Sequence, residues 1–238
     1  LCLIDHLEEL ADAGASSFKI EGRLKDVDYV KNVVAAYSEQ LNRVVSRHPS
    51  RYRRASWGKV SYAFKPDLAK TFNRGYTTYF LHGRQPGIAS MDTPKALGEF
   101  VGHVKELRRD SFNVAGTAAF ANGDGLCFIN ADHQLEGFRV NRAVGNRLYP
   151  LRMPQQLRPG MALYRNNDVA FSKELQGNSA SRRLTVDQKL GTTPDGLMLT
   201  MTMTVADGTP IKASAEVALA HQEAKTPQRD NIVRQLSR

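Results

Sequence analysis

The chain has 238 residues, with 33 Lys and Arg against 24 Asp and Glu, a formal net charge of +9 and 41% hydrophobic residues. This is a globular composition, long enough for one large domain or two small ones, and it excludes a disordered tail. No run approaches the ~20 apolar residues of a membrane helix, and the two cysteines, Cys2 and Cys127, exclude a disulfide-rich scaffold or an all-cysteine metal site completed by this chain.

Residues 3–13 place Leu3, Leu7, Leu10 and Ala11 on one side of a helix that Gly14 ends. Residues 15–20, ASSFKI, read as a short buried strand. Asp26 is an N-cap candidate for a second helix, whose Val27, Val30, Val33, Val34, Tyr37, Leu41, Val44 and Val45 keep a 3.6 period to about Ser46. Helix, strand and helix in this order form the repeating unit of a parallel α/β fold, and one unit cannot bury its own strand. The sequence opens at Leu1 inside a running helix with no basic-then-apolar leader, so the chain is expected to be a piece of a longer protein.

Arg43, Arg47, Arg51, Arg53, Arg54 and Lys59 then follow one another without an acid, interrupted by Pro49 and serines. This predicts an exposed basic linker over residues 47–57. Beyond it, turn signals recur at Asn73-Arg74-Gly75, His82-Gly83, Asn122-Gly123-Asp124-Gly125, Arg158-Pro159-Gly160 and Asn166-Asn167-Asp168. Short apolar runs between them (100–107, 111–115, 126–130, 137–140, 162–164) predict an all-β barrel or sandwich over residues 58–177. Asn122 to Gly125 fits a tight hairpin. Residues 178–238 read as an accessory α+β segment. It has strands over 183–189, 197–205 and 211–217, an Asp207-Gly208 hairpin, and a terminal helix from Pro227 to Leu236 capped by Thr226. The helix pattern is still running at the last residue, so a C-terminal truncation is expected as well.

Three strings together resemble a known family. They are SFKIEGR (17–23), TFNRGY (71–76), and the pair NGDGL (122–126) and GFRVNR (137–142). The chain resembles the collagenase-like peptidases, peptidase family U32, and in particular their long branch, which includes ribosomal RNA cytidine hydroxylases. The resemblance implies a fold that is mainly β with α+β. Residues 1–46 would be the last helix-strand-helix of a TIM-like catalytic barrel, residues 58–177 a translation-factor-like β-barrel, and residues 178–238 a collagenase-associated domain. It also implies an iron–sulfur cluster in the full-length protein, with none expected on this piece. Cys2 is a candidate for one ligand, although a lone cysteine on a helix beside Leu1 and Leu3 is more often simply packed in apolar surroundings.

If residues 16–20 are a barrel strand, Lys19, Glu21 and Arg23 share one side at its C-terminal end, where such barrels build active sites. They are the catalytic candidates, able to hold an anionic group or move a proton; an ion-pair network closing the rim is the alternative. From Gly137 to Asn167 there is no Asp or Glu, while Arg139, Arg142, Arg147 and Arg165 recur among Phe138, Tyr149 and Tyr164. With Arg74 in the TFNRGY turn, these arginines are the RNA-binding candidates, since guanidinium suits phosphate and stacks on bases. The alternatives are a solvated basic face and, for Arg74, a domain-docking turn. The six histidines show no ligand spacing. HExxH, G-x-S-x-G and CxxC are absent, so a peptidase has no nucleophile or metal motif here.

The expected function is the substrate-recognition part of a cytoplasmic RNA-modifying hydroxylase acting on ribosomal RNA cytidine. Its partners would be ribosomal RNA and the upstream catalytic barrel, with no membrane. The alternatives are a collagenase-like peptidase whose β modules bind a protein substrate, and a structural or oligomerisation module.

Overall fold

The computed structural model describes residues 1–205, 208–220 and 222–237. The chain forms two compact units: one of Leu1–Arg54 with Tyr62–Ala180, the other of Ala55–Ser61 with Ser181–Arg238. Among the described residues no helix is long and apolar enough to cross a membrane.

The first unit opens with a 3-10 turn, Ile4–His6, running into α1 (Leu7–Asp12), which Gly14 ends at φ +100°. The predicted strand does not form. Residues 15–20 have no regular structure and no strand partner, and all but Phe18 and Ile20 are exposed. A strand needs a neighbour for its backbone donors and acceptors, and no strand of the described residues lies beside this one.

α2 (Val27–Arg47) begins where the sequence places it, with the Asp26 carboxylate accepting the Tyr29 N–H at 2.7 Å. The face it buries differs from the valine stripe. Val33 and Val44 are covered, but Val27, Val30 and Val34 are exposed, and Asn32, Ala35 and Ser38 are buried instead. Asn32 accounts for this. Its amide donates to the Asp67 carbonyl (2.7 Å) and to Thr71 (3.0 Å) and accepts the Asp67 N–H (2.9 Å), so all its polar capacity toward the loop is used. The basic stretch after α2 is pinned rather than free: Arg47 and His48 meet Glu8 at 2.7 and 2.6 Å, Arg51 meets Asp12 at 2.8 Å, and Tyr52 donates to Asp12. The Tyr52 hydroxyl, more than Arg51, holds the Asp12 carboxyl below its ordinary value.

β1 (Lys59–Tyr62) precedes a 3-10 turn at Leu68–Lys70. Next come β2 (Glu99–Leu107), β3 (Phe112–Ala115), β4 (Gly125–Ile129), β5 (Leu135–Val144), β6 (Arg147–Pro150) and β7 (Ala162–Asn167). β2 to β7 close into an antiparallel barrel in the order β2-β3-β6-β5-β4-β7, with β7 returning to β2. Closure leaves no unpaired edge. The interior is filled by Val101, Val104, Phe112, Val114, Leu126, Phe128, Val140, Leu148, Leu157 and Leu163, each at most 3% exposed. At about 1.5–3 kcal/mol per fully buried large apolar side chain, this core dominates the cohesion of the unit. Gly98 and Gly102 permit close approach of neighbouring strands, because a Cβ would meet the Arg165 and Ala115 carbonyls at 2.0 and 2.3 Å.

The Asn122 to Gly125 turn is not a hairpin, since β3 pairs with β2 and β6 while β4 pairs with β5 and β7. Asp124 is fully buried, and its carboxylate accepts the N–H groups of Ala121 (3.0 Å) and Val169 (3.1 Å). The β4–β5 hairpin turn lies at residues 130–134, where Asn130 accepts two backbone N–H groups and His133 takes φ +58°.

α3 (Val169–Leu175) follows the barrel, capped by Asp168. Its Phe171 and Leu175 pack with Phe64 and Ala35 in a second small core. The Lys31 ammonium holds the Leu175 carbonyl at 2.6 Å, a cation at a helix C-terminus.

In the second unit, β8 (Ala180–Arg183) pairs with β1. β9 (Asp187–Thr193), β10 (Gly196–Thr204) and β11 (Pro210–Ala218) form an antiparallel sheet in the order β11-β10-β9. The Asp207-Gly208 turn falls partly outside the described residues. α4 (Arg229–Leu236) starts two residues later than Pro227, with no side-chain cap; the Thr226 hydroxyl accepts from Gln228 instead.

Candidate functional site

The first unit holds a cavity of about 640 Å³ walled by residues 1–3, α1, α2, residues 17–21 with Lys25, and Leu68 with residues 72–76. The two strings SFKIEGR and TFNRGY, some fifty residues apart, both line it. Leu3, Leu7, Leu10, Phe18, Ile20, Leu68 and Phe72 make an apolar lining, while Lys19, Glu21, Lys25 and Arg74 are its charged members. Three cations against one carboxylate favour an anionic guest with an apolar body.

The charged groups are held loosely. Lys19 Nζ stands 3.8 Å from Glu21 Oε2, both well exposed, and Glu21 Oε1 accepts the Arg23 N–H at 3.1 Å. Arg23 itself does not line the cavity; it sits in the turn from Gly22 to Lys25, where Leu24 takes φ +61°. Lys25 Nζ lies 3.2 Å from the Phe72 ring centroid and the Arg74 guanidinium carbon 5.8 Å from it, so one ring gathers two cations. Asn73 is buried and builds the turn that presents Arg74, donating to the Ala69 (2.9 Å) and Thr71 (3.1 Å) carbonyls and accepting the Gly75 N–H (3.2 Å).

Three tyrosines line the same cavity. The Tyr37 hydroxyl accepts the Leu3 N–H at 3.1 Å and lies 3.7 Å from Cys2 Sγ. Burial pushes its pKa up to about 12, against the Leu3 N–H, which favours the phenolate, and with Cys2 adding to the rise. Burial also raises Tyr29 and Tyr76, and Tyr76 donates to the Leu68 carbonyl at 2.5 Å. All three stay neutral at physiological pH. Cys2 is half-buried at the cavity wall, its N–H bonded to the Thr77 carbonyl at 3.0 Å. Cys127 is fully buried in β4 against the Leu97 carbonyl, and burial pushes its thiol up to about 12. A four-thiolate cluster therefore could draw one ligand from this chain at this cavity, Cys2, and would need the others from elsewhere.

The arginines divide. Arg139 and Arg142 are exposed on β5, where a register shift between Val140 and Arg142 turns Arg142 outward over the Tyr149 ring at 4.0 Å. Arg147 is half-buried, 3.7 Å from Glu106. Arg165, read from the sequence as a surface arginine, is 5% exposed. Its guanidinium meets Glu99 at 2.6 Å, Asp124 at 3.2 Å and Asp168 at 3.2 Å, and Lys70 completes the cluster at 2.5 Å from Asp168. Burial opposes the Asp168 charge, but the Lys70 hydrogen bond, the Phe171 N–H and Arg165 outweigh it and lower the carboxyl below its ordinary value. Arg165 is a structural group with no free donor face. The acid-free run hid this, because Glu99 and Asp124 come from another strand and a turn and Asp168 lies just past the end of the run. The sequence also gave no sign that Phe100 would be half-exposed; a bulge between Phe100 and Gly102 turns it out of the barrel, edge-on to His103 and Tyr164.

Residues 1–90, which contain both cavity-lining strings, match the model of peptidase family U32. The chain is 40% identical over 205 residues to the 23S rRNA 5-hydroxycytidine C2501 synthase of Escherichia coli strain K12, an alignment covering 83% of this chain and 31% of that protein. It is 39% identical over 80 residues to an uncharacterized protease of Methanocaldococcus jannaschii, covering 34% of this chain and 17% of the relative. It is 50% identical over 42 residues to tRNA hydroxylation protein P2 of Bacillus subtilis strain 168, covering 18% of this chain and 14% of the relative. The chain thus spans at most about a third of the curated relatives named here. No solved structure matches it.

Proposed function

We propose that this U32 chain belongs to an RNA-modifying hydroxylase acting on a cytidine of ribosomal RNA, and that it supplies substrate-recognition surfaces. The observation that carries the reading is the convergence of SFKIEGR and TFNRGY on one cationic, apolar-walled cavity. That cavity lies within the segment matching the family, and two of the relatives are named for RNA hydroxylation.

In this reading residues 1–46 are the last unit of a TIM-like barrel. The unpaired residues 15–20 and the open valines Val27, Val30 and Val34 are the surfaces that a neighbouring strand and helix would cover. Lys19, Glu21 and Arg74 face the reacting end, Arg23 fixing Glu21 through its backbone N–H. The closed barrel is the translation-factor-like module, and its Arg139 and Arg142 hold phosphate, Arg142 pre-oriented by Tyr149. Cys2 is this chain's one ligand to an iron–sulfur cluster, which would supply electron transfer. The cytoplasm is where such an enzyme meets its RNA.

The peptidase reading has less support. Cys2 Sγ meets Tyr37 and Cys127 meets a carbonyl, so neither thiol is paired with a histidine base.

The test is restoration of 5-hydroxycytidine in 23S rRNA, read by mass spectrometry, in a strain lacking that modification and expressing the full-length protein. Restoration that falls at least tenfold in Glu21→Gln or Arg74→Ala supports the reading. No restoration by a folded, abundant wild type overturns it.

A further inference from the structure

Outside the cavity, two histidines and a glutamate from distant parts of the first unit converge. His6 ends the first 3-10 turn, Glu9 lies three residues on in α1, and His82 arrives from a loop 76 positions later. His6 Nδ1 is 3.2 Å from Glu9 Oε2, His82 Nε2 is 3.4 Å from His6 Nδ1, and His82 Nδ1 is 3.8 Å from Glu9 Oε1. One ligand atom from each residue lies within 4.8 Å of the others. This is why the sequence showed no ligand spacing: the pair on one helix needs a partner that only the fold brings in.

Hydrogen bonding alone serves this arrangement poorly. A single ring nitrogen carries either one proton or one lone pair, yet His6 Nδ1 faces both a carboxylate oxygen and a second imidazole nitrogen. A cation among them would use all three lone pairs at once. Two of the separations, 3.2 Å from His6 Nδ1 to Glu9 Oε2 and 3.4 Å from His6 Nδ1 to His82 Nε2, match the ~3.3–3.4 Å between neighbouring ligand atoms in a tetrahedral zinc site with bonds of about 2.0–2.1 Å. The side chains are 26%, 55% and 46% exposed, so a fourth position would open to water. Leu7, fully buried between the two helical ligands in sequence, anchors the helix that carries them.

We propose that His6, Glu9 and His82 form a binding site for a divalent transition ion of the zinc class. Two imidazoles and a carboxylate are a borderline donor set that favours such ions over calcium or magnesium.

The test is calorimetric titration of the tag-free 238-residue chain with zinc chloride in a non-coordinating buffer, repeated with cobalt(II) and read by its visible absorption. The expected result is one saturable ion per chain, a tetrahedral cobalt spectrum, and affinity at least tenfold weaker in His82→Ala, whose loop position leaves the core intact. His133→Ala, which removes the comparable exposed pair with Asp92 at 3.1 Å, is expected to change nothing. Absent saturation, binding unaffected by His82→Ala, or equal loss in His133→Ala would each overturn the site.

Discussion

Replacing Arg165 by Met tests the reading that this residue holds the barrel together. Met keeps most of the volume and removes the charge. Glu99, Asp124 and Asp168 would then be left with Lys70, which reaches Asp168 at 2.5 Å and Glu99 only at 4.0 Å. Asp124 suffers most: it is fully buried, and its remaining partners are two backbone N–H groups. Breaking a buried ion network by removing one partner costs about 3–5 kcal/mol. For a unit of this size that is a fall in Tm of roughly 6–20 °C, at about 2–4 °C per kcal/mol. Urea unfolding followed by circular dichroism gives the free energy directly. The loss should depend on pH. Asp168 has a lowered folded pKa, so its contribution is complete above the unfolded carboxylate value of about 3.9 and is lost as pH falls through the lower folded value. The difference between wild type and Arg165→Met therefore narrows below about pH 4. A loss under about 1 kcal/mol at pH 7 would refute the claim that these carboxylates depend on the guanidinium.

Three further outcomes are expected. Arg142→Ala should leave stability within about 0.5 kcal/mol while reducing the log–log salt slope of RNA binding by about one unit, as loss of one phosphate contact does; an unchanged slope in a binding titration places that arginine outside the interface. Cys127, with its thiol pushed up to about 12, should resist iodoacetamide at pH 8 and become labelled only as urea unfolds the chain, which mass spectrometry of the β4 peptide reads; labelling of the folded protein contradicts its burial. Asp26→Ala should cost roughly 0.5–2 kcal/mol through loss of the α2 cap, measured by denaturation, and Asp26→Asn should recover most of it.

Much of the barrel was legible because its signals are local. Turn residues at short intervals and period-two runs located five of its six strands. β6 escaped, being four residues with a terminal proline, and so did α3, whose Asp168 cap sat inside a string already read as a turn. The wrong hairpin at Asn122 to Gly125 has the right local chemistry for a turn, but strand order depends on distant pairings that no tetrapeptide encodes. The site divides the same way. Lys19, Glu21 and Arg74 were candidates through their strings, and the fold lines one cavity with all three. Tyr29, Tyr37 and Tyr76 were missed because they read as ordinary helix and loop aromatics. Arg165 was misplaced because charge counted along a chain says nothing of the acids that arrive from other strands.

The second unit is discontinuous, and this has a consequence for biosynthesis. Its first strand residues leave the ribosome well before the chain that completes it, with all of Tyr62–Ala180 emerging in between. The first unit can close its barrel while Ala55–Ser61 waits without a strand partner, since β8 does not yet exist. A pause or premature stop after the barrel would therefore release a nascent chain with a folded body and an unsatisfied strand in its middle. That is the kind of segment chaperones and proteases inspect first.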